Sequence, residues 1–195
     1  LQLNPTRDKA YSNYLLSMHY NPRHSAEDLF AAHAKWDHYF CPHKVERAIP
    51  EDTNPARRLR IGLVSAGFRV HPVGQMITSA IEQLPRHCFE LLAYTMNDIE
   101  DTLTARMKQR VDSWFSITHL NENKIAERIR HDRIDILIDL CGHTEGNILP
   151  AIAQEPSPLQ VKWVGGLINT TGLKAMDYLI SDFIETPIGV DNGYI

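Results

Sequence analysis

The chain has 195 residues, of which 43% are hydrophobic and 23% are charged, and its formal net charge is −4. This composition is typical of a soluble globular protein with a substantial core, and its scattered basic residues give no general case for nucleic acid. No apolar run approaches the ~20 residues that span a bilayer, the amino terminus does not resemble a secretory signal, and three widely spaced cysteines favour a reducing cytoplasm over a disulfide framework.

Residues 1–41 are predicted to form an α-helical hairpin similar to one tetratricopeptide-like unit. The first helix starts near Asp8, Asn21-Pro22 ends it, and Ser25 is the predicted N-cap of the second helix. A repeat array needs about three such units for stability, so the hairpin is interpreted as a cap or as the tail of an upstream array. Because the chain also stops abruptly at Ile195, we expect it to be a piece of a longer protein.

Residues 42–57 contain three prolines and are predicted to be a linker or an extended wrap. From residue 58 to 195, strand and helix patterns alternate, which predicts a Rossmann-like, doubly wound and mainly parallel sheet with helices on both faces. The predicted strands are 59–65, 89–95, 112–117, 135–140, 159–164 and 177–181, and the predicted helices are 73–84, 101–111, 122–131 and about 146–154.

The first predicted strand ends in a turn that carries a histidine. Gly67 permits an unusual backbone turn, and Pro72 suits the first turn of a helix, so His71 lies between a strand end and a helix start. In open α/β sheets ligands bind at that edge, and a helix N-terminus there favours an anionic ligand. His71 is therefore a candidate catalytic or substrate-binding residue.

Other polar turns also follow predicted strands and would face the same edge of a parallel sheet. They hold Asp139, His143 and Thr144 after the fourth strand, and Gly165, Thr170, Thr171 and Gly172 after the fifth. Their convergence predicts a site. Each residue also has a plain structural interpretation as a cap or turn residue, and the glycines lack dinucleotide-binding spacing. The histidines of the hairpin are interpreted as lying on solvated faces rather than as metal ligands.

Four sequence blocks, in this order, resemble the O-linked N-acetylglucosamine transferase family in its bacterial form. The blocks are residues 62–74, 136–144, 158–165 and 171–182, and the resemblance covers roughly residues 58–190. It implies the amino-terminal lobe of a GT-B fold, preceded by the segment that joins a tetratricopeptide array to the catalytic region. The carboxyl-terminal lobe of the same enzyme would be a partner, and the chain alone is expected to be inactive.

The resemblance also implies roles for single residues. His71 matches the active-site histidine, and Asp139 matches an acidic position proposed as a base. His143 and Thr144 match the turn that lines the donor and acceptor side, and the remaining matches form one loop, namely Gly165, Thr170, Thr171 and Gly172. Two departures stand out: Gly67 replaces an aspartate, and residues 165–169 replace a Gly-Tyr-Pro-Gly loop.

The implied reaction transfers a sugar, N-acetylglucosamine, from a UDP-sugar to a hydroxyl of a protein or peptide. Helix N-termini and turn N–H groups can stabilise the leaving diphosphate without a metal or cofactor, and no Asp-x-Asp motif is present. Histidine exchanges protons readily near neutral pH, so His71 could accept the proton of the acceptor hydroxyl. Two alternatives stay open: a non-catalytic binding or scaffold module, and an epimerase of nucleotide sugars with the same GT-B architecture.

Overall fold

The computed structural model describes residues 7–41, 46–50, 52–165 and 170–189. Two helices are followed by alternating strands and helices, as the sequence predicts. Their bounds are α1 (Asp8–Met18), α2 (Ala26–Phe40), β1 (Leu59–Ser65), α3 (Pro72–Gln83), β2 (Phe89–Thr95), α4 (Thr102–Lys108), β3 (Ser113–Ser116), α5 (Glu122–His131), β4 (Ile136–Asp139), α6 (Leu149–Ile152), β5 (Leu159–Trp163) and β6 (Tyr178–Ile180).

The six strands form one sheet in the order β3-β2-β1-β4-β5-β6, and every neighbouring pair is parallel. The predicted α/β class and parallel sheet are thus confirmed. The chain builds outward from β1 in one direction and from β4 in the other, so the strand order reverses between these two central strands. In such sheets the crevice at the reversal, outside the carboxyl ends of the strands, is where ligands bind.

Helix α6 is shorter than the sequence predicts. Residues 146–154 carry a helical pattern, yet only Leu149–Ile152 are helical. Gly146 adopts a left-handed backbone with φ of 74°, and Glu155 does the same with φ of 49°. Neither conformation continues a right-handed helix, so these two residues limit the segment that lies between them.

The helical hairpin packs against the same core as the parallel sheet. Ser25 and Asp28 form a reciprocal capping box that starts α2, which confirms the predicted N-cap. Leu15 of α1 and Trp36 of α2 are fully buried in a cluster that also contains Leu149. The division into a 1–41 cap, a 42–57 linker and a 58–195 lobe stays a prediction, and residues 42–45 and 51 of the linker lie outside the described residues.

Two arginines of the predicted linker form ion pairs with the lobe. Arg47 bonds to Glu155 and Asp177, while Arg57 bonds to Asp135 just before β4. These ion pairs hold Arg47 and Arg57 against the lobe, and the linker or extended wrap over residues 42–57 stays a prediction. Among the described helices, none is long and apolar enough to cross a bilayer.

Candidate active site

His71 lies at the start of α3, at the carboxyl end of β1. It is the N-cap residue of this helix, and its Nδ1 atom accepts a hydrogen bond of 3.3 Å from the N–H of Val73. The ring is partly exposed to solvent. A Cβ atom at Gly67 would lie 2.8 Å from His71 Nδ1, so glycine at that position leaves room for the imidazole.

Hydrogen bonds join the turns that follow β1, β2 and β4 into one surface. The side-chain amide of Asn97 donates to the carbonyl oxygen of Ala66 at 2.6 Å, and the N–H of Ala66 donates to the sulfur of Cys141 at 3.4 Å. Burial raises the pKa of the Cys141 thiol to about 12, so this sulfur is a structural acceptor and not a thiolate nucleophile. The turns that follow β1, β2 and β4 therefore meet at one edge of the sheet.

Asp139, the last residue of β4, is fully buried with 0% exposure. Its two carboxylate oxygens accept hydrogen bonds from the N–H groups of Cys141 and Gly142, at 3.0 and 2.8 Å. Burial raises the pKa of Asp139, and the positive charge of Lys162 acts in the opposite direction. The carboxylate thus holds the turn after β4 and has no surface exposed to a substrate.

Lys162 is a buried lysine that the sequence analysis missed. It pairs in register with Asp139 across β4 and β5, and it is only 3% exposed. Its ammonium group donates to the carbonyl oxygen of Gly165 at 3.0 Å. The signal that could have revealed it was its place within a predicted strand of a parallel sheet, because such sheets are covered on both faces.

His143 follows the same strand as Asp139 but turns toward the helical hairpin. Its Nε2–H donates to the carbonyl oxygen of Thr171 at 2.8 Å, and its Nδ1 accepts from the hydroxyl of Ser12 in α1 at 3.0 Å. The ring is 3% exposed and packs edge-on against Trp36. Burial lowers the pKa of His143 to about 3, so it is neutral near pH 7 with both nitrogens occupied.

Two more histidines extend from this ring: His33 packs against His143, and His19 packs against His33. His33 is fully buried, its Nδ1–H donates to the carbonyl oxygen of Leu29, and burial lowers its pKa to about 4. The ring of His33 lies 5.3 Å from that of His143 and 5.5 Å from that of His19. The expectation of a solvated face is therefore wrong for His33, because α2 packs this side of the helix against the lobe.

These histidines do not form a metal centre in the described part of the chain, where no group of three or more potential ligands has a suitable arrangement. We call the set formed by Ser12, His33, His143, Thr171 and Gly172 the hairpin dock. It joins α1 and α2 to the turns that follow β4 and β5.

The remaining predicted residues take part in local turn structure. The hydroxyl of Thr144 donates to the carbonyl oxygen of Cys141 at 2.7 Å, and that of Thr170 accepts from the N–H of Gly172 at 3.0 Å. Gly172 has φ of 65°, and a Cβ atom there would lie 2.4 Å from the carbonyl carbon of His33. The backbone of this loop therefore touches α2 directly.

The predicted site residues thus separate into two groups. His71 lies on the partly exposed surface at the strand reversal, with Asp139 buried behind the neighbouring turn. His143, Thr171 and Gly172 lie in the hairpin dock instead. The substrate roles of all these residues stay predictions, and most of the altered loop, residues 166–169, lies outside the described residues.

A cavity of about 410 Å³ lies at the opposite, amino-terminal edge of the sheet. Four arginines contribute to its lining, but at least three of them already bond to acidic side chains: Arg57 to Asp135, Arg58 to Asp112 and Arg60 to Glu90. None of the predicted site residues lines it.

Comparison with known proteins identifies related sequences over nearly the whole chain. The profile of Glycosyl transferase family 41 matches residues 15–195. A probable UDP-N-acetylglucosamine–peptide N-acetylglucosaminyltransferase SPINDLY from Arabidopsis thaliana is 33% identical over 95% of this chain and 21% of that protein. A UDP-N-acetylglucosamine–peptide N-acetylglucosaminyltransferase from Caenorhabditis elegans is 31% identical over 71% of this chain and 12% of its own length.

Among solved structures, a mutant O-GlcNAc transferase from Thermobaculum terrenum superimposes with a TM-score of 0.93 and 36% sequence identity. The match covers 100% of this chain and 37% of that chain. The present chain therefore spans about a fifth of the length of its SPINDLY relatives and little more than a third of this structural neighbour.

Proposed function

This chain belongs to glycosyl transferase family 41, and we propose that it supplies one wall of the active site of a UDP-N-acetylglucosamine–peptide N-acetylglucosaminyltransferase. The observation that carries the proposal is that all of this chain superimposes on part of a solved O-GlcNAc transferase. The rest of the active site, including the second lobe of a GT-B fold, would come from outside these residues. Cys41, Cys88 and Cys141 are free thiols, which supports a reducing compartment such as the cytoplasm.

The donor diphosphate is proposed to bind outside the turn between β1 and α3. Helix α3 has 12 residues, and its N-terminus lies at the reversal of strand order. The partial positive charge of a helix N-terminus stabilises phosphate oxygens, and it acts here although Pro72 has no N–H and the N–H of Val73 donates to His71. When the bond between the sugar and the diphosphate breaks, its electron pair adds a negative charge to the β-phosphate of the departing diphosphate, and groups aimed at that charge lower the barrier.

His71 is proposed to contact the reacting groups as a hydrogen-bond donor. Because Val73 donates to Nδ1, a neutral imidazole carries its proton on Nε2. That nitrogen can donate to an oxygen of the donor or of the acceptor hydroxyl, and it orients that oxygen for reaction. In this tautomer the ring has no free lone pair for the acceptor proton, so we favour an orienting role over the proton-accepting role expected from the sequence.

Asp139 is proposed to act as a positioning residue. Its carboxylate fixes the N–H groups of Cys141 and Gly142, and so sets the path of the turn that faces the β1–α3 turn. A fully buried carboxylate with both oxygens engaged contributes geometry rather than proton transfer.

The test is a transfer assay on the complete natural protein, with UDP-N-acetylglucosamine, a panel of other nucleotide sugars, and a peptide acceptor. We expect transfer from UDP-N-acetylglucosamine, and no turnover by the 195-residue chain alone. His71→Ala should reduce kcat by about 10²–10⁴. His87→Ala is the matched control, because His87 is an exposed histidine in the turn before β2, at the other edge of the sheet.

Three results would contradict the proposal. Full activity of His71→Ala would exclude His71 from the reaction. Conversion of a free nucleotide sugar without any peptide would favour an epimerase. Stable binding of a protein partner by a complete protein that turns over no nucleotide sugar would favour a scaffold.

A further inference from the structure

Two opposite charges are buried side by side at the carboxyl ends of β4 and β5. Asp139 and Lys162 are register partners on these neighbouring strands, and they are 0% and 3% exposed. The carboxylate oxygens of Asp139 and the ammonium nitrogen of Lys162 are more than 4.0 Å apart, so the two side chains do not form a direct ion pair. Each charge nevertheless favours the charged form of the other: Lys162 lowers the pKa of Asp139, and Asp139 raises that of Lys162. Burial opposes both charges: it raises the pKa of Asp139 and lowers that of Lys162.

Each charge holds a different turn. Asp139 accepts from the N–H groups of Cys141 and Gly142, and Lys162 donates to the carbonyl oxygen of Gly165. The lysine stem also passes beneath the first turn, because a Cβ atom at Gly142 would lie 2.9 Å from Lys162 Cε.

The two turns also touch each other. A Cβ atom at Gly165 would lie 2.1 Å from the carbonyl oxygen of Leu140, which leaves no room for any side chain at that position. Gly142 and Gly165 both have left-handed backbones, with φ of 55° and 75°. A shift of either turn therefore requires a shift of the other, and each member of the charge pair is hydrogen-bonded to one of the two turns.

We propose that Lys162 is a positioning residue for the transfer reaction, and that Lys162 and Asp139 act as one buried charge pair that keeps the β4 and β5 turns in their mutual position. The part that concerns turnover rests on the proposed function. Removal of one partner leaves the other charge buried and uncompensated, which is more harmful than removal of both. When Lys162 is replaced, the carbonyl oxygen of Gly165 also loses its hydrogen-bond donor, and this loss is the same whether position 139 holds aspartate or asparagine.

The experiment compares Asp139→Asn, Lys162→Met and the double variant in the complete natural protein, with Lys124→Met as control because Lys124 is an exposed lysine of α5. Each variant is measured for its unfolding temperature and for kcat and KM with UDP-N-acetylglucosamine. Each single variant should lower the unfolding temperature by roughly 5 °C or more, and the double variant should recover at least half of that loss.

Turnover separates positioning from stability. The double variant should keep kcat at least about 10-fold below the native value despite its recovered stability, with KM for the donor changed less than about threefold. Additive losses of unfolding temperature would overturn the charge pair, and full recovery of kcat in the double variant would overturn the positioning role. The unfolding temperatures can be measured whether or not the protein is an enzyme. If the proposed function is wrong, the native protein will be inactive, while the unfolding temperatures will still follow the expected pattern.

Discussion

His71 and His143 follow the two central strands of the same parallel sheet, yet their surroundings are opposite. His71 is partly exposed, and among the described residues only its Nδ1 has a hydrogen-bond partner, the N–H of Val73. The His143 ring is buried, and its two nitrogens bond to Ser12 and Thr171. A histidine with an open nitrogen can act on a ligand, whereas one with both nitrogens bonded to the protein acts as a brace.

The difference arises from the elements that cover each turn. His71 stays partly exposed at the start of α3, while Ser12 of α1 and Trp36 of α2 cover the turn that carries His143. Position at the carboxyl edge of a sheet is therefore not enough to assign a substrate role. The residues that approach the side chain from distant parts of the chain decide between the two roles.

The strongest way to break the hairpin dock without touching His71 is Gly172→Ala. The new Cβ atom would lie 2.4 Å from the carbonyl carbon of His33, in a backbone that already has φ of 65°. We expect a loss of about 4 kcal/mol in the free energy of unfolding, from backbone strain and overpacking together. Chemical denaturation of the complete protein measures it.

The matched control for that substitution is Gly189→Ala. Gly189 is also left-handed, with φ of 93°, but a Cβ atom there meets no atom of the described residues within 4 Å. This variant should show the backbone strain alone, at about 1 kcal/mol. Equal losses for the two glycines would mean that the loop after β5 does not press on α2.

The charge state of His143 gives a second test of the comparison. Its pKa is about 3 in the folded protein and ordinarily 6.5, so the unfolded chain takes up a proton first as the pH falls. The stabilising contribution of the neutral ring is complete above pH 6.5 and declines toward pH 3, by about 1.4 kcal/mol per pH unit.

His143→Gln should therefore flatten the pH dependence of stability. Between pH 6 and pH 4, the native protein should lose about 2.5 kcal/mol more than this variant. His87→Gln, at an exposed site, should leave the slope unchanged. An identical slope in the native protein and in His143→Gln would show that His143 is solvated or already charged.

The smallest expected change in stability comes from removing the hydroxyl of Ser12, which bonds from the hairpin to the lobe. Ser12 is buried and donates to His143, so Ser12→Ala should cost about 1 kcal/mol in the free energy of unfolding. Ser17→Ala is the control in the same helix, because Ser17 is exposed and its hydroxyl donates to the carbonyl oxygen of Tyr14 within that helix. A cost no larger than that of the control would remove Ser12 from the dock.

The strands could be predicted within one or two residues because apolar runs such as Ile61–Val64 are typical of parallel strands buried on both faces. The place of His71 was also predictable, since a glycine, a strand end and a helix-starting proline are all local signals. The direction of His143 was not predictable, because its partner Ser12 lies 131 residues away along the chain. The burial of His33 and Lys162 was missed for a related reason: polar residue types suggest exposure, and only tertiary packing reverses that.

One series on the complete natural protein tests the assignment of the two histidines most directly: kcat and unfolding temperature of His71→Ala and His143→Ala. We expect His71→Ala to lose about 10²–10⁴ in kcat, with an unfolding temperature lowered by at most about 3 °C through loss of the N-cap of α3. His143→Ala should unfold about 5 °C or more below the native protein and keep kcat within about threefold wherever it is folded. The assignment would be contradicted if His143→Ala lost activity but kept its unfolding temperature, while His71→Ala lost stability but kept its activity.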